Sequence, residues 1–86
     1  MWTITLNEDA VKNLKSLSRD QQIKIMGYVR DRIPKDPLYF GKRLVGNLSS
    51  FYRFRIGDYR LLAHIDKDNK TVLIVAIGHR REIYKD

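Results

Sequence analysis

The chain has 86 residues, with seventeen Lys and Arg against ten Asp and Glu, a net charge of +7 and no cysteine. This length allows a single domain over 1–86 with one core and excludes a second. The absent cysteines exclude a disulfide framework, a thiolate nucleophile and a thiolate zinc site. The positive excess asks for an anionic partner, either nucleic acid or an acidic protein.

Trp2, Ile4 and Leu6 alternate with Thr3 and Thr5, which predicts a short first strand. The opening residues lack the basic region of a signal peptide, and the longest apolar run, Val72 to Ile77, is far below a membrane span. A soluble, cytoplasmic protein with no membrane partner is therefore expected. Asn7 is placed to cap a first helix, with Glu8 and Asp9 in the first turn where the helix dipole favours negative charge. Ala10, Val11, Leu14 and Leu17 carry its helical spacing. Ser18-Arg19-Asp20-Gln21 has the form of a capping box, so a second helix follows at once. Its apolar stripe is Gln22, Ile25, Met26, Val29 and Ile33, and Pro34 and Pro37 end it. Neither helix shows a sign of chemistry. Lys35 to Ser50 reads as a loop, with Lys42 and Arg43 adding charge before the next strand.

Phe51 to Ile65 holds two alternating runs split by Gly57-Asp58, a hairpin signal in which the glycine supplies the positive φ of a type II′ turn. That turn sets Ile56 opposite Tyr59, Arg55 opposite Arg60, Phe54 opposite Leu61 and Arg53 opposite Leu62. One face then carries Tyr52, Phe54, Ile56, Tyr59, Leu61, Ala63 and Ile65, all fit for burial. The other carries Phe51, Arg53, Arg55, Arg60, Leu62 and His64. Directly opposed like charges destabilise a hairpin by a few tenths to ~1 kcal/mol, so Arg53, Arg55 and Arg60 crowded on one face point to an anion, and phosphate fits guanidinium forks best. His64, opposite Phe51 and away from the turn, reads as a packed sheet residue.

After the polar turn Asp66–Lys70, the run Val72–Ile77 is apolar at every position, which predicts a central strand covered on both faces. The elements read β-α-α-β-β-β, an α+β domain whose antiparallel sheet has a helical hairpin packed on one face. The ending Gly78-His79-Arg80-Arg81-Glu82-Ile83-Tyr84 collects groups suited to phosphate-ester chemistry. His79 is the side-chain type suited to proton transfer at neutral pH, Arg80 and Arg81 suit binding of phosphate or developing charge, and Tyr84 suits stacking on a base or handling a proton. Asp66 and Asp68 share one turn without a further acid, a poor metal site. No Gly-rich phosphate loop or nucleophile elbow occurs. The parts that remain suit metal-free RNA cleavage, in which the ribose 2′-OH attacks the adjacent phosphate.

Leu44-Val45-Gly46-Asn47-Leu48, then Tyr52 to Leu62 with its Gly-Asp-Tyr-Arg turn, then Ile77-Gly78-His79-Arg80-Arg81-Glu82-Ile83-Tyr84 resemble the RelE/ParE superfamily of toxins from type II toxin–antitoxin systems, the RelE branch more closely. The resemblance covers essentially the whole chain. It implies the RelE-like microbial RNase fold and cleavage of mRNA in the ribosomal A site without metal or other cofactor, leaving a 2′,3′-cyclic phosphate. It also implies a cognate RelB-like antitoxin that binds and blocks the toxin in a hetero-oligomer. By position it gives Arg53 and Arg55 as the basic residues of the second strand. Arg60 and Arg80 become the holders of the scissile phosphate, with Arg81 an alternative to Arg80, and Tyr84 the closing aromatic. Lys42, Arg43 and Arg81 would add RNA contacts. Some relatives have lysines where Arg53 and Arg55 stand, and an arginine does not act as a base. The proton acceptor is then His79, with Tyr84 second. Three other readings stay open: a ParE-type inhibitor of DNA gyrase, a non-catalytic RNA- or ribosome-binding domain, and a docking surface for an acidic protein.

Overall fold

The computed structural model describes residues 2–46 and 51–79. Strand β1 (Thr3–Leu6) leads into helix α1 (Glu8–Lys15) and helix α2 (Arg19–Asp31). The two starts are built as the sequence indicates. Asn7 Oδ1 accepts from Ala10 N at 2.8 Å and Ser18 Oγ from Gln21 N at 3.3 Å, each satisfying an amide that has no partner inside its helix. Ile25, Val29 and Ile33 turn one side of α2 and its exit into the core.

The segment read as a loop contains two short elements, helix α3 (Pro37–Phe40) and strand β2 (Lys42–Arg43). Asp36 caps α3 by accepting from Tyr39 N, and Pro37 stands in its first turn, where a missing N–H costs nothing. Gly41 then lets the chain pass over the core. A Cβ there would meet Pro37 O at 2.8 Å and the Phe54 ring at 2.9 Å, so a larger residue would have to displace a buried aromatic. Strands β3 (Tyr52–Ile56), β4 (Tyr59–Asp66) and β5 (Thr71–His79) complete the chain.

The five strands form one sheet in the order β1-β5-β4-β3-β2. All neighbours are antiparallel except β1 and β5, which run parallel. The sheet is therefore mixed, where the sequence suggested an antiparallel one. Alternation of apolar residues is the same in either strand direction, so it carries no information on this point. Past the end of β1, α1 takes over the free side of β5. Asn7 N donates to Ile74 O at 2.9 Å, and Asn13 Oδ1 accepts from Ile77 N at 3.0 Å.

The hairpin register is the predicted one, residue for residue, from Tyr52↔Ala63 to Ile56↔Tyr59. Gly57 takes φ +58° and Asp58 does not, the pattern of a type II′ turn. Phe54, Ile56, Leu61 and Ala63 are buried against the helices. On β5 the outcome differs. Ala63 pairs with Ile74 while its neighbour Leu62 pairs with Ala76, so Val75 is an extra residue, a β-bulge. The bulge reverses which side chains face inward: Val72 and Ile74 are buried before it, Ile77 after it. An unbroken apolar run thus serves one covered face through a change of phase. The other face is not covered there, since Leu73 is 38% exposed. Among the described residues no helix is long and apolar enough to cross a membrane.

Candidate nucleic-acid interface

The sheet face away from the helices is organised in cross-strand rows, because paired residues point to the same side. Nearest the turn stand Arg55, Arg60 and Gly78. The next row is Lys42, Arg53, Leu62 and Ala76, and the third is Phe51, His64 and Leu73. Arg53, Arg55 and Arg60 share one face as expected, and Lys42 joins them beside Arg53. Arg43 pairs with Tyr52 and so belongs to the opposite face, because adjacent strand residues alternate.

Arg55 is exposed, whereas Arg60 is only 5% exposed although it shares the row. Burying a guanidinium is unfavourable unless its donors find acceptors. Arg60 Nη1 donates to Gly57 O at 3.2 Å and to Tyr59 O at 3.1 Å, so the turn backbone that sets the hairpin register also holds this side chain. A fork held in place before its anion arrives loses less freedom on binding than a waving one. The acid nearest in register on this face, Asp66, closes the far end of β4. Its carboxylate accepts from the Asn69 side chain at 2.8 Å and from the amides of Asn69 and Asp68. These bonds hold its pKa below the ordinary value, the Asn69 side-chain bond first among them.

Phe51 and His64 stack across the strands with ring centroids 4.4 Å apart, although His64 itself stays exposed. His79 does not share the arginine face. The bulge sets it opposite Tyr59 on the helix side, ring to ring at 5.8 Å and edge-on, and brings Gly78 opposite Arg60 instead. Unbroken alternation from Leu73 would instead have put His79 on the arginine face. Arg80, Arg81 and Tyr84 lie outside the described residues. Gly78 and Asn13, which sequence reasoning left out of the site, border the arginine face at the β5 edge. The signal for Asn13 was a short amide in the last turn of an otherwise apolar helix face.

The sheet face away from the described helices groups Lys42, Arg53, Arg55 and a held Arg60, cationic donors of the kind that pair with phosphate. Residues 4–84 match the sequence model of the ParE toxin of the type II toxin–antitoxin system parDE. The chain belongs to the RelE/ParE superfamily of type II toxins. It is 30% identical over 84 residues to Toxin RelG of Mycobacterium tuberculosis, covering 98% of this chain and 97% of that one. Among solved structures, the RelBE2 toxin–antitoxin complex of M. tuberculosis superposes with a TM-score of 0.88 at 29% identity, over 92% of this chain and 98% of that one. The isolated E. coli RelE toxin shares the fold, with a TM-score of 0.76 at 18% identity over 98% and 92% of the two chains. This superfamily toxin therefore groups Lys42, Arg53, Arg55 and Arg60 on the sheet face away from its described helices.

Proposed function

We propose that this toxin is a ribosome-dependent, metal-independent endoribonuclease that cuts mRNA in the A site and so stops translation. The observation that supports this reading is the row Arg55–Arg60 beside Arg53 and Lys42, with Arg60 held by the turn backbone. In this reading Lys42, Arg53 and Arg55 hold the RNA backbone. Arg60 and Arg80 hold the scissile phosphate and stabilise charge as the 2′-OH attacks, with Arg81 available in the place of Arg80. The 2′-oxygen–phosphorus bond forms, the bond to the 5′-oxygen breaks, and a 2′,3′-cyclic phosphate and a 5′-hydroxyl result. Tyr84 stacks on a base and, with His79 turned to the helix side, is the proton acceptor of this chain. The toxin acts in the cytoplasm and is held in check by an acidic RelB-like antitoxin drawn by the +7 charge.

Induction in growing cells, with mapping of mRNA 5′ ends on ribosomes, tests this. Cuts inside codons that vanish with Arg60→Ala or Arg80→Ala are expected, and arrest that neither substitution relieves overturns the reading. The match to the ParE toxin family favours one alternative, inhibition of DNA gyrase. DNA damage with intact mRNA is its signature.

A further inference from the structure

Next to the arginine face, a groove of about 390 Å³ crosses the β5 edge, within the ~300–1,000 Å³ usual for small-molecule sites. Its floor is Leu62, Ala76 and Gly78, and its wall is Asn13, Ser16 and Leu17 from the end of α1. None of the described residues lining it is charged, so their surface suits a base better than a phosphate. Gly78 pairs with Arg60, which places the groove one strand over from the guanidinium, about 4.8 Å in the pairing direction.

Two hydrogen bonds fix what the wall presents. Asn13 Oδ1 accepts from Ile77 N at 3.0 Å, so the amide has its oxygen engaged and its two N–H donors left to offer. Ser16 Oγ donates to Asn13 O at 2.7 Å, so its proton is committed and its lone pairs face outward as acceptors. A donor beside an acceptor matches a keto oxygen beside a ring N–H. Guanine and uracil carry that edge, while adenine and cytosine place an amino donor where the keto oxygen would be.

We propose that this groove is a nucleobase subsite that takes guanine or uracil from the strand whose phosphate rests on Arg60, with Asn13 and Ser16 setting the preference. The inference rests on the RNA-directed reading above. Its test is fluorescence anisotropy with 2′-O-methyl hexanucleotides, which cannot be cut, carrying each base or an abasic unit at successive positions. At one position guanine and uracil should bind about 2- to 10-fold tighter than adenine, cytosine or the abasic unit, the range of one net hydrogen bond. Asn13→Asp keeps an acceptor for Ile77 N but replaces the amide donors, and should shift the preference toward adenine and cytosine. Ser16→Ala, at an exposed position, should flatten it without lowering the melting temperature. Arg55→Ala separates the two claims. If it weakens binding while base identity and both wall variants have no effect, the subsite is wrong and the RNA reading stands. Equal weakening for all bases with Asn13→Asp shows a structural role only and overturns the subsite. No binding by the wild-type chain overturns both.

Discussion

The two faces of the sheet are drawn from alternate residues of the same strands, yet they obey opposite rules. Toward the helices, Phe54, Ile56, Leu61, Ala63, Val72, Ile74 and Ile77 are buried, and the hydrophobic effect favours every one of them. Away from the helices, Lys42, Arg53, Arg55 and Arg60 are brought together against their mutual repulsion. Arg60 shows the contrast most clearly, as a charged group buried on the face away from the described helices. Stability is generated on one side of the β-ribbon and drawn down on the other. Substitutions on the two sides should therefore have opposite signs in a melt.

The largest effect belongs to the covered face. Phe54→Ala should cost about 3–5 kcal/mol, much of the ~5–15 kcal/mol that holds a domain together. Urea titration reads this, and a loss below about 1 kcal/mol would mean that the core does not centre on this ring. Asn7→Ala, which removes the 2.8 Å cap of α1, should cost about 1 kcal/mol and exceed Ser18→Ala, whose bond is 3.3 Å. Equal costs would break the link between cap geometry and energy. On the bare face the sign reverses. Arg55→Thr relieves the Arg55–Arg60 opposition and should stabilise by a few tenths of a kcal/mol up to about 1 while weakening RNA binding. A destabilised Arg55→Thr protein would show that the pair is not strained. The smallest effect concerns Tyr28 on α2. Burial raises its pKa above 10.0, against a smaller lowering by Arg32. The folded state thus holds the phenol proton more tightly than the unfolded one. That contribution is complete below pH ~10 and is lost as pH rises through the raised value. Tyr28→Phe should flatten the alkaline limb of a stability–pH curve, and an unchanged limb would remove Tyr28 as its cause.

The hairpin was legible because three signals agreed: a Gly-Asp turn, period-two alternation and a clean apolar side. The Asn7 and Ser18 caps were legible because capping depends on local side chains at fixed offsets. What escaped was non-local. Lys42-Arg43 has no apolar alternation to betray a two-residue strand, and its pairing with β3 decides that Lys42, not Arg43, joins the arginines. The direction of β1 is absent from its own pattern. The side that His79 takes was not legible, because Val72–Ile77 is apolar at every step and nothing in it marks Val75 as the extra residue. Only the partner strand shows where the count slips.

The outermost strands have a further consequence. A β-sheet ends in rows of unsatisfied amides and carbonyls that invite other chains to add on and polymerise. Here one border is a two-residue strand made of Lys42 and Arg43, too short and too charged to template a fibril. Beyond β1, the flank of β5 is plugged by Asn7 and Asn13. Among the described residues that leaves the four residues of β1 as the border open to unwanted association, and a lysine at Thr3 or Thr5 is the place to improve solubility at high concentration.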